Sequence, residues 1–174
     1  MKILDACCGG KMFWYEKDLD FVDFQDNREL QTELCDGRKF SVKPDFIGDV
    51  TKMDMPDEEY DMVVFDPPHL KNGGDTGWII LKYGKLPSEW LLWIERAFKE
   101  CFRILKNDGV LVFKWNCEQI PFANVVKLSP YKPIFGDKRA KTRWTVFVKN
   151  NALRKGERKY ENTKRRSNGI ADWW

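Results

Sequence analysis

At 174 residues, with a net charge of +3 and with 43% hydrophobic and 14% aromatic side chains, the chain has the size and composition of one globular domain. It contains no apolar run near the about 20 residues that a membrane span requires. The opening Met-Lys-Ile-Leu-Asp lacks the charged, apolar and cleavage regions of a secretory leader, so a cytoplasmic protein without a membrane partner is expected.

Five cysteines, an odd number, stand at 7, 8, 35, 101 and 117 with no C-x-x-C, and His69 is the one histidine. This argues against a disulfide framework and against a bound metal. The charge is uneven: residues 151–174 carry seven Lys or Arg against three acids, a net of +4, leaving residues 1–150 at −1. The expected organisation is one domain over 1–150 and a basic C-terminal tail over 151–174, partly ordered or disordered. The tail's charge suits an acidic partner such as nucleic acid.

Taken in chain order, apolar and β-branched runs predict strands over 2–5, 21–25, 45–48, 60–66, 110–115, 125–128 and 142–149. Continuous runs such as "MVVF" and "VLVF" suit strands covered on both faces. Helices are predicted over 11–17, 28–34 and, most clearly, 89–106, where Leu91, Ile94, Phe98, Cys101 or Phe102, and Leu105 recur near every 3.6 residues. Pro87 and Ser88 would start that helix and Asn107-Asp108-Gly109 end it. Strand and helix in repeated alternation imply right-handed crossovers and an α/β fold with a mostly parallel sheet.

In such folds ligands gather at the carboxyl ends of the strands. The first exit reads Asp5-Ala6-Cys7-Cys8-Gly9-Gly10, where small residues let the backbone turn sharply and approach a ligand. The cysteine pair admits metal, redox, nucleophilic and turn-forming readings, and the missing partners favour the last. Asp26 follows the second strand, where a carboxylate can accept ribose hydroxyls, with Asp23 as its rival. Asp49 follows the third, within reach of an adenine amino group.

The run "VVFDPPH" places Asp66, Pro67, Pro68 and His69 after an apolar strand. Each proline fixes its own φ and pushes the preceding residue to an extended conformation, which would hold the Asp66 carboxylate and the Pro67 carbonyl as two rigid acceptors. An exocyclic base amine has two N–H donors to match, and His69 can stack on the base. Cys117 follows Asn116 rather than a proline, so it reads as a strand-end cysteine and not as a nucleophile.

The segments "DACCGGKMFW", "DNRELQTELCDGR", "FIGDVTKM", "VVFDPPH", "CFRILKNDGVLVFKWN" and "KTRWTVFVK" resemble the small class I methyltransferases that use S-adenosylmethionine (AdoMet), including proteins commonly encoded in phage and prophage genomes. The resemblance covers most of residues 1–150. It implies a Rossmann-like, mostly parallel seven-stranded sheet with an antiparallel last strand and helices on both faces. It also implies AdoMet contacts from Asp5, Ala6, Cys7, Cys8, Gly9, Gly10, Asp26, Asp49 and Val50.

"DPPH" is similar to the motif of amino methyltransferases acting on adenine N6 or cytosine N4. By that resemblance Asp66, Pro67, Pro68 and His69 form the catalytic group and nucleic acid is the partner, DNA ahead of RNA. Lys11 stands where a third glycine often does, and no separate recognition domain is present. A nucleotide, small-molecule or protein acceptor, and a catalytically silent binding subunit, remain as alternatives.

Overall fold

The structure, a computed structural model, describes residues 1–34, 36–73 and 77–156. Its strands are β1 (Ile3–Asp5), β2 (Val22–Asp26), β3 (Leu30–Glu33), β4 (Lys39–Val42), β5 (Phe46–Ile47), β6 (Tyr60–Phe65), β7 (Leu105–Asn116), β8 (Pro133–Arg139) and β9 (Thr142–Val148). Helices α1 (Trp78–Tyr83), α2 (Trp90–Ile104) and α3 (Phe122–Val126) all follow β6. Seven strands form one sheet in the order β5–β2–β1–β6–β7–β9–β8. The first five are parallel, while β9 runs antiparallel to both β7 and β8. The expected Rossmann-like, mostly parallel sheet with an antiparallel last strand is therefore present.

Alternation along the strands divides the core in two. Leu4, Val63, Phe65, Leu111, Phe113, Trp115 and Phe147 meet the buried stripe of α2, made of Ile94, Ala97, Phe98, Cys101 and Phe102, with Val125 of α3 joining them. On the opposite face Ile3, Val22, Phe24 and Val64 are covered by Phe13, Trp14 and Leu19.

That second cover corrects one expectation, the helix over 11–17. Lys11 adopts φ 52°, and turns close through Lys11 N–H to the Cys8 carbonyl and Trp14 N–H to the Lys11 carbonyl. The reason is the demand on two adjacent side chains: Phe13 meets Trp144 edge-on at 5.6 Å and Trp14 meets Phe24 at 5.2 Å. Neighbouring residues do not share one stripe of an α-helix.

The helix expected over 28–34 is also absent. Leu30–Glu33 pairs antiparallel with Lys39–Val42 in a separate hairpin. Asp36-Gly37 turns it, with Gly37 at φ +78° and the Arg38 N–H donating to Asp36 Oδ1 at 3.2 Å. "DG" is a hairpin signal, and it outweighs the helical spacing before it. The strand expected over 125–128 lies instead across the end of α3, opened by Pro121, and residues 133–139 take the sheet edge. α2 stops at Ile104, because Leu105 is already extended and paired with Tyr60. Asn107-Asp108-Gly109 forms a bulge within β7, with Asp108 at φ 61°.

Past residue 150 the chain continues against the body as far as Lys155, whose ammonium donates to the Val126 and Ser129 carbonyls at 3.1 and 3.0 Å. The remainder of the expected tail, with Trp173 and Trp174, lies outside the described residues, as do Cys35 and residues 74–76. No helix among the described residues is long and apolar enough to cross a membrane.

Phe98 is fully buried between Phe65, Phe113 and Phe147. Phe98→Ala should cost about 3–5 kcal/mol of folding free energy, read as a lower midpoint in denaturant unfolding. A change under about 1 kcal/mol would contradict this packing.

Candidate functional site

The carboxyl ends of β2, β1 and β6 lie side by side, and each ends at or beside an aspartate: Asp26, Asp5 and Asp66. Above them opens a cleft of about 270 Å³ whose wall includes Ala6, Cys7, Cys8, Gly9, Gly10, Asp26, Asp49, Val50, Asp66, Pro67 and Pro68. Four separate strand exits, up to 62 positions apart in sequence, thus meet around one space. Asp5 and His69 are the two expected site residues that do not line it.

The glycine turn has a local cause. Gly9 sits at φ +49°, where a side chain is strained, and a Cβ on Gly10 would come within 2.6 Å of the Phe40 ring on β4. The Gly9 N–H donates to Asp26 Oδ2 at 2.9 Å, while Asp26 Oδ1 accepts from the Arg28 N–H at 3.0 Å and from Arg28 Nε at 3.1 Å. Arg28 reaches on to the Leu81 carbonyl of α1 at 3.2 Å, which ties the second strand exit to the cleft's far rim. Burial pushes both the Cys7 and Cys8 thiols up, so they stay protonated and serve the turn as small side chains.

Asp5 is fully buried beneath the turn and accepts the Trp14 indole N–H at 2.7 Å. Burial pushes its carboxyl up to about 7, with the Trp14 hydrogen bond opposing and the nearby Asp66 charge adding. Asp49 is exposed and accepts the Thr51 N–H at 2.8 Å, whereas Val50 is buried. Asp23, the rival of Asp26, faces elsewhere: it accepts the Tyr60 hydroxyl at 2.7 Å.

Asp66 is held from a direction that the sequence analysis missed. Its Oδ2 accepts from Lys114 Nζ of β7 at 2.5 Å. The lysine lies over the rings of Phe13 and Trp144, 5.4 and 5.7 Å from their centroids. Burial raises the Asp66 pKa and Lys114 opposes that rise. A lone lysine inside the apolar run "VLVFKWN" is the signal that would have found it, since such a charge needs a partner.

His69 packs against Tyr83 at 5.7 Å and Trp115 at 6.4 Å, and burial, then the Lys114 charge, pushes it down to about 4. It is therefore neutral near pH 7. Tyr83, rather than His69, reaches the cleft. Lys82, Gly84 and Lys85 complete that wall, with Gly84 at φ +73° against Pro68.

By sequence the chain matches no protein-family profile and no curated protein. By structure it resembles the PH0226 protein of Pyrococcus horikoshii, with TM-score 0.55 and 15% identity over 84% of this chain and 81% of that one. It also resembles a SAM-dependent methyltransferase of Leishmania major, with TM-score 0.52, 12% identity and coverage of 84% and 64%. The 1,6-didemethyltoxoflavin-N1-methyltransferase of Burkholderia thailandensis, solved with 1,6-didemethyltoxoflavin and S-adenosylhomocysteine, superposes with TM-score 0.50 at 12% identity over 86% and 71%. The fold is that of the class I methyltransferases.

The raised Asp5 carboxyl has a measurable consequence. A carboxyl whose folded pKa lies above its ordinary value of 3.8 contributes stability that is complete below that value and is lost as pH rises through about 7. Wild type should therefore lose stability relative to Asp5→Asn between about pH 4 and about pH 7, and hold a constant difference above that range. Denaturant unfolding of both proteins across the range checks the sign, and a difference independent of pH would contradict it.

Proposed function

We propose that the protein is an AdoMet-dependent methyltransferase that N-methylates an exocyclic amine of a nucleic-acid base, adenine N6 or cytosine N4, with DNA ahead of RNA. The observation that carries this reading is the meeting of Asp66-Pro67-Pro68 with the Gly9-Gly10 turn and Asp26 around one cleft. The Leishmania and Burkholderia neighbours are named as methyltransferases, and the latter holds S-adenosylhomocysteine, which supports the cofactor.

The residues present fit AdoMet. The turn at Gly9 and Gly10 carries no side chain toward the cleft and would pack against the methionine portion. Asp26 is fixed by Gly9 and Arg28 yet keeps acceptor capacity for ribose hydroxyls, since a carboxylate has about four lone-pair sites. Asp49 and Val50 would take the adenine, and buried Asp5 holds the turn from below through the Cys7 N–H at 3.4 Å and Trp14.

When bound, AdoMet supplies a methyl group on a sulfonium, which an aligned amine can attack without a strong base. Orientation is then the chain's main contribution. The Pro67 carbonyl and Asp66 Oδ1 would accept the two amine N–H groups and aim the nitrogen lone pair at the methyl carbon. The methyl transfer would be balanced by departure of the neutral thioether with the electrons of the broken S–C bond. The amine's surplus proton passes to Asp66, whose burial has raised its affinity for one.

Tyr83, backed by His69, would offer the base an aromatic surface. A base from a duplex would have to flip out at a cost of a few kcal/mol. Exposed Lys138 and Arg139 at the turn between β8 and β9 would hold phosphates near that opening.

A nucleotide or other small-molecule acceptor is the second reading, favoured by the Burkholderia neighbour's name. Asp66→Ala should abolish methyl transfer while AdoMet still binds. Calorimetric titration with AdoMet and radiolabel transfer to DNA, RNA and free nucleotides test this together. Full transfer by the variant would refute the Asp66 role, and label in nucleotides alone would favour the second reading.

A further inference from the structure

Lys114 bonds directly to the Asp-Pro-Pro exit at Asp66, and the reading above gives it no task. It belongs to β7, 48 positions from Asp66, and lines the same cleft. Its ammonium has three N–H donors. One is spent on Asp66 Oδ2 at 2.5 Å, and no other hydrogen-bond acceptor meets it among the described residues. The Phe13 and Trp144 rings lie against the ammonium at 5.4 and 5.7 Å, which limits its freedom without satisfying its donors. Asp66 Oδ1 has no hydrogen bond among the described residues.

The cleft wall therefore presents, on two directly bonded side chains, an acceptor oxygen and a charged donor side by side. The complement of that pair is an edge carrying a donor next to an acceptor. Adenine offers it as the N6 amine beside N1, and cytosine as the N4 amine beside N3. Guanine sets its amine between N1–H, which would face the ammonium donor to donor, and N3, which lies on the edge next to the sugar, and thymine and uracil have no amine. An isolated alkyl amine satisfies Asp66 but leaves Lys114 without a partner.

We propose that Lys114 is a specificity-determining residue that donates a hydrogen bond to the unprotonated ring nitrogen next to the target amine, so that Asp66 and Lys114 together select an amidine edge. This rests on the reading of the cleft as a base methyltransferase site. It narrows the acceptor to heteroaromatic amines with a neighbouring ring-nitrogen lone pair, whether in a strand or in a free nucleotide. A charged hydrogen bond made in a desolvated site discriminates strongly against an acceptor that lacks its partner atom.

The test compares oligonucleotides containing adenine or 1-deazaadenine, and cytosine or 3-deazacytosine, where the ring nitrogen is replaced by C–H and the amine is kept. Wild type, Lys114→Met and Lys114→Arg are each assayed for kcat/KM of radiolabel transfer, with AdoMet affinity measured separately by calorimetry. For the base it methylates, wild type should lose about ten- to a hundredfold on the deaza analogue. Lys114→Met should treat parent and analogue alike, and Lys114→Arg should keep most of the gap.

The intrinsic effect of the deaza substitution on the amine is common to all three enzymes, so the change in the ratio isolates Lys114. Equal wild-type rates on parent and analogue would overturn the proposal, even if Lys114→Met fails to fold. A full gap retained by a folded Lys114→Met would overturn it as well. AdoMet binding by wild type without transfer to either parent base would instead bring down the base-methyltransferase reading, and this proposal with it.

Discussion

Three carboxylates are buried or half-buried at the ends of three adjacent parallel strands, and the architecture of the cleft follows from the need to compensate each of them. Asp26, Asp5 and Asp66 end or follow β2, β1 and β6, which are neighbours in the sheet. The nearby Asp66 charge adds to the proton affinity that burial gives Asp5. Each has its own donors: Gly9 N–H and Arg28 for Asp26, the Trp14 indole for Asp5, and Lys114 for Asp66. A buried carboxylate left without its donors is costly, so these contacts are constraints on the fold as much as features of the site.

The irregular parts of the molecule become intelligible from those pairings. Trp14 has to reach under the glycine turn to Asp5, which keeps residues 11–21 out of a helix and lets that segment roof one face of the sheet. The hairpin of β3 and β4 brings Phe40 onto Gly10, where a side chain would collide. Arg28, at the root of that hairpin, bridges Asp26 to the Leu81 carbonyl and so draws α1 to the rim. The cleft is thereby closed by one chain of contacts that starts at a strand exit.

The strand exits were legible because they are local. A short apolar run followed by Asp, Gly or Pro states both the strand and where it stops, and the exits of "ILDACCGG", "FIGDV" and "VVFDPPH" contribute Ala6 to Gly10, Gly48 to Val50 and Asp66 to Pro68 to the cleft wall. The α2 stripe was legible for the same reason, although Leu91 proved half exposed. The misreadings share a different cause. Residues 11–17 and 28–34 have acceptable helix formers, yet Trp14 answers to Asp5 and Leu30 to Val42. Propensity is a weak prior against such tertiary demands.

By itself the sequence determined the period of the central strands and of α2, the acids and glycines at the strand ends, and the Asp-Pro-Pro exit, since these follow from neighbouring side chains and the backbone freedom of Gly and Pro. Only the tertiary structure decided which acid received which donor. Lys114 is 48 positions from Asp66 and Trp14 is 9 from Asp5, and no local pattern couples them. The same holds for His69, drawn to Tyr83 and Trp115 while Tyr83 took the cleft wall. Pairings of this kind exist only after the sheet has set β1, β6 and β7 side by side, because proximity between distant residues is a property of the packed chain.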